Sequence, residues 1–157
     1  MSIRFREMLV LCCLMVFIVF VSTRDNYIDV SMEDIKSAVS EAADFSGMEE
    51  FGNSQLKKDF GINANDYEGV IYYGHQSVMD CEKVLIIKLS DSSQGKDLAK
   101  SVKEIRTADM DMFRSYAPDQ YKLLDECVIE QKGNYFIYVV SDNARAVEKA
   151  FTGCITG

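Results

Sequence analysis

Fourteen residues in a row, Met8 to Val21 ("MLVLCCLMVFIVFV"), carry no polar or charged side chain, and no later stretch runs apolar for so long. Beyond them the apolar positions recur at two periods. In "VSMEDIKSAVSEAADF", Ile35, Val39 and Ala42 recur at the spacing of one helix face. Ser31 and Asp34 have capping-box spacing, with the shorter acid in place of Glu, and Val30 with Ile35 fits a hydrophobic staple. "NSQLKKDFG" predicts a short helix, capped at Asn53 or Ser54 and stopped at Gly61, with Leu56 and Phe60 inward. "INANDYE" predicts a loop or a single turn. "DSSQGKDLAKSVKEIRTADMDMFRSYA" predicts the longest helix, with Leu98, Val102, Ile105, Met112 and Tyr116 at helical spacing. Pro118 suits the first position of a further short turn, "PDQYKLLDE". Ser141 or Asp142 caps a last helix whose face carries Ala144, Val147 and Phe151.

Between the helices lie β-branched and aromatic bursts. "GVIYYGH" (Gly69–His75) and "KVLIIKLS" (Lys83–Ser90) predict strands joined by "QSVMDCE", a link longer than a tight hairpin. Val84–Ile87 is wholly apolar, as in a central strand. "CVIEQ" and "NYFIYVV" flank "KG" and predict a hairpin. The order α-α-ββα-ββα predicts an α+β domain, most simply a four-stranded, mainly antiparallel sheet with helices on one face. In the last strand Tyr135, Ile137 and Val139 lie on one side, and Phe136, Tyr138 and Val140 on the other. Both sides are apolar, so a helix of the same domain, a partner or a second copy must cover the second side. With few helices available, the expectation is that a patch drawn from Tyr72, Tyr73, Tyr135 and Tyr138 stays open as a protein-binding surface.

The opening run spans about 21 Å as a helix, short of a hydrocarbon core of about 30 Å. Counted from Phe5 to Thr23 it reaches about 28 Å, with Arg6 and Arg24 able to snorkel. Leu9-Val10-Leu11 before Cys12 offers no small residue for a lipoprotein site, and Phe20 and Val21 spoil the −3 positions of cleavage after Ser22 or Thr23. The expected organisation is a cytoplasmic tail (residues 1–7), a transmembrane signal anchor (8–23), a link (24–29) and an extracytoplasmic domain (30–157), with a cleaved signal as the alternative. Arg4 and Arg6 place the N-terminus in the cytoplasm and the body outside a cell membrane crossed once.

Charge narrows the partners. The chain carries −8, and past the first 23 residues fifteen basic side chains face twenty-four acidic ones. So acidic a body repels phosphate backbones, and no nucleic-acid partner is expected. Cys81, Cys127 and Cys154 lie outside the apolar run. They are odd in number and without metal-ligand spacing, which reads as three small core residues and no disulfide, the alternative being one bonded pair in an oxidising space.

Candidate chemistry is sparse. His75 is the only histidine, at the end of a strand; Cys81 is near it in sequence but across an irregular link, so the bland reading is an exposed strand-end histidine. Asp109 and Asp111, two apart on a helix, cannot chelate one ion. Asn63, Asn65 and Asp66 lack the glycine and distal glutamate of a calcium loop. Lys96, Lys100 and Lys103 line one side of the long helix, a solvated face or a contact for anionic lipid or wall polymer. No catalytic, cofactor-binding or metal-binding residues are expected, and no cofactor.

Four stretches together resemble a known family: Asp29-Val30-Ser31 through Ile35; Leu56 through Phe60-Gly61-Ile62; Val84 to Leu89; and Val128-Ile129 with Lys132-Gly133-Asn134-Tyr135 and the aromatic strand after it. In this order, over about Asp29 to Phe151, the chain resembles the bacterial domain of unknown function 4358, found in small exported, lipoprotein or membrane-anchored proteins of Gram-positive bacteria. The resemblance implies an envelope location, no known activity and no catalytic residues to carry over. The expected function is a membrane-anchored extracytoplasmic module that binds a protein or envelope polymer without catalysis; the alternative is an exported enzyme with an unrecognised site.

Overall fold

The computed structural model describes residues 8, 10–16, 27–43 and 45–156. The expected anchor at 8–23 falls largely outside them. Its described residues are helical, and among the described residues no helix is long and apolar enough to cross a membrane.

Local chemistry sets the helix ends. Helix α1 (Met32–Ala42) begins at Ser31, whose Oγ accepts from the Asp34 N–H at 3.1 Å and donates to the Asp34 carboxylate at 2.7 Å. A Glu would reach back to the cap N–H; the shorter Asp meets the cap hydroxyl instead. Helix α2 (Asn53–Phe60) stops at Gly61, whose φ of 66° is left-handed and whose N–H closes on the Lys57 carbonyl at 3.0 Å. A 3-10 turn, Ala64–Asp66, follows. Its entry is closed by Asn53, whose Oδ1 accepts from the Ala64 N–H at 2.8 Å and whose Nδ2 donates to Asn63 Oδ1 at 3.1 Å. The asparagines that superficially resemble a calcium loop thus hold a turn together. Helix α3 (Gln94–Phe113) is followed by α4 (Pro118–Asp125), with Pro118 in the first turn, and the chain closes with α5 (Ala144–Thr156).

The strands are β1 (Glu49–Glu50), β2 (Gly69–Gly74), β3 (Lys83–Lys88), β4 (Val128–Lys132) and β5 (Tyr135–Val140). They form one sheet in the order β1-β2-β3-β5-β4, every pair antiparallel. The sheet therefore has five strands and not the expected four. The extra strand is two exposed glutamates opposite Gly74 and Tyr73; it carries no apolar signal because it buries nothing.

Helices cover both faces of the sheet and not one. On one face Leu56 and Phe60 (α2), Leu98, Val102 and Phe113 (α3) and Leu124 (α4) pack on Tyr72, Leu85, Ile87, Phe136, Tyr138 and Val140. On the other, Ile35 and Val39 (α1) and Val147, Phe151 and Ile155 (α5) pack on Ile71, Val84, Ile86, Tyr135, Ile137 and Val139. All six residues of β5 are buried. Leaving three of them in water would forfeit about 5–9 kcal/mol, at about 1.5–3 kcal/mol for each side chain, comparable to the whole stability of a domain. The expected tyrosine surface is accordingly core: Tyr72, Tyr135 and Tyr138 are buried, and Tyr73 is half-buried and stacks on Phe45 with centroids 4.6 Å apart.

Candidate functional site

At one end of the sheet the chain leaves β2 at Gly74 and returns to β3 at Lys83. The long link between them cannot fold back as a tight hairpin, so it stands away from the sheet and leaves a cleft of about 250 Å³ against α2 and α3. Helix α2 lends Gln55, Lys58 and Asp59; α3 lends Ile105, Asp109, Met112 and Phe113.

The floor is charged and internally paired. Lys83 meets Asp109 at 3.0 Å, with only 16% and 19% of their side chains exposed. The Lys83 ammonium also lies 5.9 Å from the centre of the Phe60 ring. Tyr72 donates its hydroxyl to Asp59 Oδ2 at 2.6 Å, and Gln55 Nε2 donates to both oxygens of the same carboxylate at 2.9 and 3.0 Å. Burial, and then the neighbouring Asp59 carboxylate, push the Tyr72 hydroxyl far above its ordinary pKa, so it remains a donor at any physiological pH.

His75 and Cys81 both line this cleft, with Glu82. His75 Nε2 lies 3.6 Å from Glu82 Oε2; the histidine is partly buried rather than the expected exposed strand end. The Cys81 thiol donates to the Gln120 carbonyl at 3.4 Å, and its own N–H donates to Gln120 Oε1 at 2.7 Å. Burial pushes the thiol up to about 12. A nucleophile must be a thiolate, so Cys81 is held as a packed thiol. Cys127 and Cys154 are likewise free and partly buried.

The rim of the cleft is mixed: Lys58, Gln76, Ser77 and Asp80 are exposed beside Val78 and Met112. Val78 is 82% exposed and Met112 49%; both line the opening. Met79, next to Val78, and Tyr116, one helical turn beyond Met112, are also exposed. Counting the lining, Lys58 and Lys83 face Asp59, Asp80, Glu82 and Asp109: two cations against four carboxylates.

Sequence reading noticed His75, Cys81 and Asp109, but not that they share one cleft. Tyr72–Asp59 and Lys83–Asp109 stand 13 and 26 residues apart, so no local spacing signals them. Asp111 points elsewhere and pairs with Arg114 at 3.1 Å. Lys96, Lys100 and Lys103 are exposed on α3 as expected, but Asp97 and Glu104 stand among them, so that face is of mixed sign. Among the described residues no three His, Cys, Asp or Glu side chains are grouped to hold a metal.

Fold and cleft together define a three-layered α+β domain, helices on both faces of one sheet, with a charged cleft at one end of that sheet. The profile of the family described as Domain of unknown function (DUF4358) matches residues 41–141, and the chain belongs to that family. No curated protein and no solved structure matches it.

Proposed function

We propose that the protein is a membrane-anchored extracytoplasmic module without catalysis, held by residues 8–23, and that its cleft binds a segment of another protein carrying a basic side chain between apolar ones. The observation that carries this is the pairing of two exposed apolar side chains, Val78 and Met112, with four carboxylates against two lysines in the lining of one cleft. Adaptable methionine side chains and Val78 would take the apolar residues. An ammonium or guanidinium would find Asp59, Asp80, Glu82 and Asp109 within one cleft. An anionic envelope polymer is disfavoured by the same carboxylates and by the acidity of the whole body. The enzymatic alternative gains little: burial holds the Cys81 thiol protonated, and it donates to the Gln120 carbonyl.

The test uses the full chain in detergent and two fluorescent probes, acetyl-Leu-Lys-Leu-Lys-Leu-amide and its glutamate counterpart, with polyphosphate as a third arm. The lysine peptide should bind, more weakly as salt rises. Asp80→Lys, at an exposed position, should weaken it at least tenfold, and Val78→Ser with Met112→Ser comparably. Equal binding of both peptides, preference for polyphosphate, or binding indifferent to these substitutions overturns the reading.

A further inference from the structure

We infer that residues 27–30 are a built-in strap that fixes the membrane-near end of the domain, so that the cleft is presented on the side away from the membrane; this rests on the anchored reading above. Sequence pattern alone reads the stretch before Val30 as a polar link. In the structure each of the four residues is joined to the body. The Tyr27 ring lies against Gly133, where an added Cβ would fall 2.6 Å from Tyr27 Cδ2. Ile28 donates its N–H to the Ile155 carbonyl at 2.8 Å. Asp29 pairs with the Lys88 ammonium at 2.5 Å. Val30 donates its N–H to Tyr135 Oη at 2.8 Å, and that hydroxyl donates back to the Val30 carbonyl at 2.9 Å. The partners come from β3, β5, the β4–β5 turn and α5, and Tyr135 is 2% exposed. A free tether has no use for a buried tyrosine hydroxyl committed to both backbone polar groups of one of its residues.

The strap and the cleft occupy opposite ends of the sheet. Lys88 pairs with Tyr135 and Gly69 at the strap end; Lys83 pairs with Val140 and Gly74 at the cleft end. Five residue steps along β3 separate these ends by about 17 Å, and the link bearing Val78 stands beyond. The four steps from Thr23 to Tyr27 reach at most about 14 Å. With the anchor ending at Thr23, the Lys88 end is therefore held close to the bilayer and the Lys83 end is turned outward. The partner of the cleft is then one that arrives from the aqueous side, a polypeptide and not a lipid headgroup.

The experiment places a genetically encoded fluorescent amino acid in the full chain at Asn134 or at Val78, in phosphatidylcholine vesicles carrying a nitroxide on the lipid headgroup. Both positions are exposed. The label at 134 should be quenched at least threefold more than the label at 78. Equal or reversed quenching overturns the orientation. Lys88→Gln with Tyr135→Phe should speed amide exchange at Ile28 and Val30 and at least halve the quenching difference. Tyr135→Phe alone, which keeps the buried ring, reads the same if the pair does not fold. Exchange unchanged in both variants overturns the strap. If the chain washes off the vesicles in carbonate, the anchored reading fails and the outward cleft falls with it, a result distinct from retention with the wrong quenching pattern.

Discussion

Tyr138 shows what one atom contributes when the rest of its side chain is well placed. Its ring is fully buried between Phe60, at 6.1 Å edge-to-face, and its strand neighbours. Among the described residues its hydroxyl is the one buried side-chain polar atom without a hydrogen-bond partner. Burial drives that hydroxyl far above its ordinary pKa, so it remains a neutral, unsatisfied donor. Such a group costs about 1–3 kcal/mol relative to a satisfied one. Tyr138→Phe keeps the ring and removes the orphan, so it should raise stability by about 1 kcal/mol in urea unfolding. A loss of that size would mean that the hydroxyl bonds an internal water. Sequence could place Tyr138 on a strand but could not say that its hydroxyl meets no partner, because that depends on how side chains of other elements pack around it. Asp109 is the same lesson reversed. Its helical position was legible, but its partner Lys83 lies on a different element, and the cleft could only be found once the two met.

At the scale of elements, apolar periodicity located the helices and four strands, because each buries a stripe or a face. The Ser31 cap, the Gly61 stop, the Pro118 start and the "KG" turn were all legible, since each is a local hydrogen-bonding or dihedral requirement. The pattern of β5 announced that both its sides were covered, yet could not say by what. Three amphipathic helices on one face and two on the other settle it. The strap was missed because four residues are too few to show a period and its anchors, Lys88 and Tyr135, are 58 and 105 residues from Val30. Its electrostatics give a pH window. The hydrogen bond from Lys88 lowers the Asp29 pKa below its ordinary 3.8. That contribution is present above about pH 4 and is lost as pH falls through the lowered value. The hydrogen bond to Asp29 raises the Lys88 pKa above 10.5, against burial, and Glu68 at 3.7 Å adds to it. This contribution is present below about pH 10 and fades as pH rises through the raised value. Protection factors of the Ile28 and Val30 amides should therefore be flat from pH 5 to 9 and drop below pH 4. A drop well above pH 4 would point to a group other than this ion pair.

For the whole molecule the charge distribution, the cleft and the strap bear on one question of topology. The body is acidic while Arg4 and Arg6 precede the apolar run, an asymmetry that under the positive-inside rule favours export of the body. Poor residues before Ser22 and Thr23 argue against removal of the run. Residues 27–30 are bonded into a body whose two core clusters lie on opposite faces of one sheet. Protease added to intact, wall-stripped cells should then digest residues 30–157 and leave a short membrane-bound fragment. Because residues 27–30 are bonded into the body, cleavage there should be slow in the wild-type chain and at least fivefold faster in Tyr135→Phe. The exposed link around Val78 and Met79 should be nicked first in both. A body protected until the cells are lysed would reverse the orientation, and a soluble mature form lacking residues 1–23 would replace the anchor with a cleaved signal. Equal cutting near residue 28 in both chains would leave the export intact and remove the strap.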